Sequence, residues 1–264
     1  MNARAKTPTP LTVLVVGATG SIGRLVVAEC LARGHTTRAL VRDPVRARLP
    51  LGVGLVTGDL TRPETLAGAV AGVDAIVLAH GSGAGSSPET VDYAGVRNLL
   101  DALAGRRPRI ALMTAIGVTA RGSAYGHLLD WKRRSERLVR ASGLPYTIVR
   151  PGWFDMNDPG EQRLVLLQGD TRRSGSPSDG VIAREQIARV LVSALSSPEA
   201  TGRTFELVAE RGPAPAGLGP LFTALDQDPP DALDGVHDEA NMPLPTEPQR
   251  VRDDLEAARR RAAR

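Results

Sequence analysis

Over its first two hundred or so positions the chain alternates short continuous apolar runs with longer stretches in which apolar residues recur every three or four positions. Leu11-Thr12-Val13-Leu14-Val15-Val16 is rich in β-branched residues, continuously apolar from Val13, and stops at a glycine. That is the pattern of a strand buried on both faces. Residues 21–33 then set Ile22, Val26, Val27 and Leu31 on one helical face, with Gly34 placed as a C-cap. Further strands are predicted over 36–41, 53–57, 75–79, 109–113 and 146–149, and helices over about 63–71, 89–104 and 127–142. Strands and helices alternating at these lengths predict right-handed βαβ units, hence an α/β fold with a Rossmann-type, doubly wound parallel sheet.

Beyond Pro151 the pattern loosens. A short apolar run (Leu164-Val165-Leu166-Leu167) is followed by a polar stretch from Thr171 to Gly180, a helical period over 184–195 and a strand over 204–208. Residues 212–248 are rich in Pro, Gly and Asp and predict an extended or partly mobile segment, with a terminal helix over 251–263. The expected organisation is a flexible N-terminus (1–10), a dinucleotide-binding core (11–151) and a small C-terminal, substrate-side lobe (152–264) packed with the core as one domain.

Composition narrows the function classes. Hydrophobic residues make up 42% and charged residues 23%, as in soluble globular proteins. Aromatic residues are only 3% and the net charge is +4, with Arg259-Arg260-Arg261 supplying part of the basic excess, so base stacking on a basic face is not expected and nucleic acid is not a predicted partner. Cys30 is the single cysteine, which excludes an intrachain disulfide, and its apolar helical surroundings predict an unreactive buried thiol. No His, Asp and Glu cluster has metal-ligand spacing, so no metal is expected. Met1–Pro10 lacks the apolar stretch of a signal peptide, and no run approaches the ~20 residues of a membrane span. The expectation is a soluble, cytoplasmic protein without membrane partners; a homodimer is compatible with the pattern but not demanded by it.

The chemistry concentrates in Gly17-Ala18-Thr19-Gly20-Ser21-Ile22-Gly23, which follows the first strand directly and opens the first helix. Glycines there permit a tight turn and close backbone approach, while the N–H groups and positive dipole end of the helix suit a pyrophosphate. Arg42 ends the second strand, where an NAD-binding protein usually carries a carboxylate for the adenosine ribose; a guanidinium suits the 2′-phosphate of NADP(H) instead. Asp43 leaves a ribose-hydroxyl acceptor open as the alternative, and Arg24 is a second candidate phosphate contact. Asp59-Leu60 is placed to border the adenine. Ala79 and His80 end the fourth strand, where cofactor and substrate meet, and Gly81–Ser87 reads as a flap or a plain surface connection.

With these residues in view, the chain resembles the atypical short-chain dehydrogenase/reductases, in particular the NAD(P)H-binding, NmrA-like group. The resemblance rests on the glycine loop, Val41-Arg42-Asp43-Pro44, Gly58-Asp59-Leu60, Lys132-Arg133-Arg134-Ser135-Glu136 and the run from Ser142 through Arg150-Pro151-Gly152. It implies a Rossmann fold, NADP(H) as cofactor and a small-molecule substrate bound over the C-terminal edges of the sheet. The wider family works with a Tyr-x-x-x-Lys pair, in which the tyrosine transfers a proton and the lysine holds ribose. Lys132 matches the lysine, but Leu128 stands at the tyrosine's position.

Substitute acids are Tyr125, His127 and Asp130; Thr114, at the end of the fifth strand, is a candidate substrate-binding hydroxyl, and His80 a candidate titrating group. Trp153 and Phe154 are candidate pocket walls, and His237 has no motif around it. The predicted catalytic set is therefore Lys132, Tyr125, Thr114 and His80. The leading expectation is an NADP(H)-dependent reductase of a small carbonyl or enone-type substrate. The alternatives are a non-enzymatic NADP(H) sensor or partner-binding protein, favoured by Leu128, and a non-redox isomerase or dehydratase with bound NADP.

Overall fold

Strand β1 (Thr12–Val16) lies mid-sheet, and its side chains alternate between two apolar layers. Val13 and Val15 face one layer, while Leu14 and Val16 face the other, and all four are buried. That two-sided burial is why the run is apolar at every position. The computed structural model describes residues 9–83, 85–122 and 125–263. The expected flexible N-terminus falls mostly outside these residues, as does Ala84 of the Gly81–Ser87 loop.

The parallel part of the sheet runs β3 (Gly54–Thr57), β2 (Thr36–Val41), β1, β4 (Ala75–Leu78), β5 (Arg109–Met113), β6 (Tyr146–Pro151) and β10 (Arg203–Glu210). This is the doubly wound, Rossmann-type order. Helices α1 (Ser21–Ala32) and α4 (Arg184–Ser196) cover one face, packed on Val13, Val15, Ala39 and Phe205. Helices α2 (Gly95–Ala102), α3 (Gly126–Ala141) and α6 (Gln249–Ala262) cover the other, over Leu14, Ile76, Ile110 and Ile148. Cys30 is wholly buried on the inner face of α1, and burial pushes its thiol up to about 12, which keeps it from forming a reactive thiolate.

Four local expectations are corrected. No helix forms over 63–71: only a 3₁₀ turn at Pro63–Thr65 appears, followed by turns. Gly68 in that stretch costs about 1 kcal/mol in a helix, and Leu66, Ala69 and Val70 are buried without one. The helix expected from residue 89 opens instead as a wide π turn, Glu89–Ala94, before α2 begins. Leu164–Leu167 belongs to β8 (Arg163–Leu167), antiparallel to β10, and two-residue strands β7 (Trp153–Phe154) and β9 (Val181–Ile182) extend that edge.

The fourth correction concerns 212–248. Apart from a five-residue helix α5 (Gly219–Thr223) and a 3₁₀ turn at Leu244–Thr246 the segment runs through turns and bends without regular structure, but it is anchored rather than loose. Asp234 accepts from Arg133 Nε (2.9 Å) and Arg137 Nη2 (2.7 Å), and Glu247 accepts from Arg134 Nε (2.6 Å). Arg133 is fully buried by this strap. Further in, Arg150 joins Glu136 and Asp238, each at 2.7 Å, so that strand β6, helix α3 and the strap share one buried ionic cluster.

Candidate active site

The glycine loop bends because Gly17 adopts φ +80, and a Cβ there would sit 2.7 Å from the His80 backbone nitrogen. A Cβ on Gly23 would lie 2.0 Å from the Gly17 carbonyl oxygen. These two glycines hold α1 hard against the ends of β1 and β4. Gly20 caps the helix with no side-chain partner and no acidic residue in the first turn, which leaves the helix N–H groups open to an anion. Arg24 braces the loop from outside, its Nε donating to the Thr19 carbonyl at 2.9 Å.

A cleft of about 450 Å³ opens over this loop. Gly17, Thr19 and Gly20 line its floor, Arg42, Asp59 and Leu60 one end, and Ala79 and His80 the other. Ser21, Ile22 and Gly23 lie just inside the helix, with Ile22 buried in the core beneath it. Arg42 is exposed, and among the described residues no carboxylate pairs with it. Asp43 is otherwise occupied: its Oδ1 accepts from the backbone of Val45 (3.0 Å) and Arg46 (3.3 Å), closing a turn. The guanidinium, not the carboxylate, is therefore the group left facing the cleft. Asp59 accepts from Thr61 N and Oγ1 and shapes the loop that follows β3. A glycine cradle with no room for Cβ atoms and an uncapped helix start fit the pyrophosphate of a dinucleotide, with an unpaired guanidinium at one end of the cleft.

At the other end of the cleft, Lys132 Nζ on α3 donates to Asp92 Oδ1 at 2.7 Å. The π turn brings Asp92 there, and Ser82 N also donates to it at 3.1 Å. Burial opposes ionisation of Asp92, but Lys132 and the Ser82 donor outweigh it and hold the carboxyl below its usual range. A Cβ built on Gly81 would be 3.7 Å from Lys132 Nζ, so the ammonium lies at the rim of the glycine-loop cleft. Both ring nitrogens of His80 are sealed from solvent and lack a hydrogen-bond partner among the described residues. Burial drives this imidazole down to about 4, with Lys132 adding to the effect and Asp92 opposing it.

One turn before Lys132 on α3, Leu128 faces a second, mostly apolar cavity of about 250 Å³. Its walls are Leu128, Tyr125, Ile116, Pro151, Trp153 and Phe154, gathered from the C-terminal ends of β5 and β6 and the start of α3. Tyr125 meets Trp153 edge to face at 6.2 Å. Positions i and i+4 of a helix share a face, so Leu128 at the apolar cavity and Lys132 at the rim of the cleft lie one turn apart on one side of α3.

Other candidates are committed elsewhere. Thr114 is buried and its hydroxyl donates to Glu136 Oε1 at 2.7 Å, into the ionic cluster rather than either cavity. Asp130 pairs with Arg121 at 2.5 Å, and His127 is exposed against the Trp131 ring. His237 bonds Asp226 on the surface. Gly81, Gly83 and Ser86 border the cleft and not the apolar cavity. Asp92 is the functional-looking residue that the sequence did not single out; the one available signal was that a Lys132 turned inward needs an anionic partner.

The sequence model of the family described as NAD(P)H-binding matches residues 17–198. An uncharacterized chloroplastic protein of Arabidopsis thaliana is 33% identical over 81% of this chain and 82% of its own length. Sanguinarine reductase of Eschscholzia californica is 28% identical over 79% of this chain and 91% of its own. Among solved structures, a Bacillus halodurans protein provisionally assigned as an NAD-dependent epimerase/dehydratase superposes with a TM-score of 0.66 and 25% identity, over 81% of this chain and all (100%) of that one.

Proposed function

This chain belongs to the NAD(P)H-binding, NmrA-like family of oxidoreductases, and we propose that within it the chain works as an NADP(H)-dependent reductase of a small, apolar carbonyl or enone compound. The observation that carries this reading is the Leu128–Lys132 face of α3, which sets an apolar cavity one helical turn from the rim of the glycine-loop cleft. When bound, a reduced nicotinamide supplies the two electrons of the reduction as a hydride. Gly17, Gly20 and Gly23 give the pyrophosphate its seat, and Arg42 the 2′-phosphate. Lys132, oriented by Asp92, holds a ribose hydroxyl at the junction. Leu128, Trp153 and Phe154 pack the substrate's apolar body and exclude water, which strengthens every charge interaction at the junction. Leu128 has no proton to give, so the proton comes from the Tyr125 phenol on the same wall.

Purified protein incubated with NADPH and a panel of ketones, quinones and enones tests the proposal. Oxidation of NADPH by some member, with NADH far less effective, is the expected result. Tight NADPH binding without oxidation across the panel favours the sensor reading that Leu128 also suits. Cofactor recycled without net oxidation points to isomerase-type chemistry.

A further inference from the structure

Beside the apolar cavity lies a third space, of about 520 Å³ and lined mainly by polar groups: Arg121, Arg173, Ser174, Glu239 and Asn241. It is continuous with the apolar cavity, since Ala120, Tyr125, Arg173 and Gly175 line both. An apolar chamber opening sideways onto a two-arginine chamber is the shape expected for a substrate with two unlike ends.

Arg173 is exposed, but its guanidinium is held at two points. Its Nε donates to the Asp170 carbonyl at 2.6 Å, and its Nη1 to Glu239. Asp170 is fully buried in the left-handed region (φ +49), a conformation costly for a residue with a Cβ. Its carboxylate accepts from Gly117 N (2.7 Å), Thr119 N (2.7 Å) and Thr119 Oγ1 (2.8 Å), and its own N–H donates to buried Glu206 at 3.1 Å. Asp170 thus fixes the β5 loop that walls the apolar cavity and, through its carbonyl, the guanidinium at the polar chamber. The spacing between the two is set by one rigid residue.

The partners of the two arginines leave room for an incoming anion. Glu239 holds Arg173 only at the surface, its side chain 54% exposed, and Arg121 reaches Asp130, also partly exposed. Ion pairs of this kind contribute little and exchange readily for a better-placed carboxylate. Each guanidinium has one carboxylate partner, Glu239 in the chamber lining and Asp130 outside it, and Nη2 of Arg173 has no hydrogen-bond partner among the described residues.

Building on the proposed reductase reading, we infer that the substrate carries a carboxylate on its apolar ring or chain, and that Arg173, with Arg121 beside it, recognises this anion while the reducible group lies against Leu128. Arg173 is then a specificity-determining residue, not a catalytic one.

The test separates binding from turnover. Cinnamate and its neutral amide are titrated calorimetrically into protein saturated with NADP⁺, where no reduction can occur. Cinnamate is expected to bind about tenfold or more tightly than the amide, to lose that advantage in Arg173→Gln and to regain part of it in Arg173→Lys, with matched melting temperatures for all three proteins. Equal affinity for the two probes, or a preference that survives in Arg173→Gln, overturns the inference. A second arm offers NADPH with an aromatic enal and its ring-carboxylated counterpart. Turnover of both at equal kcat/KM also overturns the anion subsite. Selective binding of cinnamate with no turnover of either enal upholds the subsite and contradicts the reductase reading instead.

Discussion

Lys132 Nζ meets Asp92 Oδ1 at 2.7 Å, an ion pair in which the side chains are 12% and 3% exposed. It links α3 to the π turn, and so links the helix that carries Leu128 to the rim of the glycine-loop cleft. A buried lysine is aimed by its partner, so removing the carboxylate's charge frees the ammonium to turn away. Asp92→Asn is expected to raise the Kd for NADPH by about tenfold, the worth of one charge-assisted hydrogen bond. Fluorescence titration measures it; an unchanged Kd would remove Lys132 from the cofactor site.

The glycine loop makes a sterically sharper demand. Gly17→Ala places a methyl 2.7 Å from the His80 nitrogen in a backbone region that L residues avoid. NADPH binding should be lost outright, and the melting temperature should fall as β1 and β4 separate at that end. Wild-type affinity in Gly17→Ala would mean that the loop is only a packing turn.

The proposed preference for NADPH rests on Arg42. With Asp43 closed into its own turn, the guanidinium is the group at that end of the cleft. Arg42→Ala is expected to weaken NADPH binding by about tenfold or more while leaving NADH binding within about twofold. Equal losses for both cofactors would place Arg42 on the common part of the dinucleotide.

His80 gives a pH signature. Its folded-state pKa is depressed to about 4 from an ordinary 6.5, so between those values the unfolded chain takes up a proton that the folded chain refuses. Stability from this group is present above pH 6.5 and is lost as pH falls toward 4. Chemical denaturation of wild type and His80→Leu across this range should show the wild type losing more. Parallel curves would mean that the imidazole charges freely in the folded protein.

Most of the frame was legible because burial on two faces leaves a mark in every strand. Val13 to Val16 read as a central strand for that reason, and the loop after it read as a phosphate cradle because glycines followed the strand without a gap. What escaped depended on partners distant in sequence. Arg133 and Arg137 pair with Asp234 about a hundred positions on, and no local period signals that a Pro- and Asp-rich stretch will fold back as a strap. Thr114 looked like a site hydroxyl by its place at a strand end, but its direction depends on Glu136, buried on the facing side of α3. Asp92 was hidden by the π turn, which shifts the helical phase and turns an otherwise ordinary acidic residue onto Lys132.

The central claim is that the cleft and the apolar cavity form one site across which electrons pass. NADPH deuterated at the hydride-bearing carbon of its nicotinamide, incubated with the best substrate from the panel and followed by mass spectrometry, tests it most directly. Deuterium appearing in the reduced product, one atom for each NADPH oxidised, is the predicted result. A protein that binds the labelled NADPH tightly and returns it unoxidised, with no deuterium in any panel compound, would contradict the account.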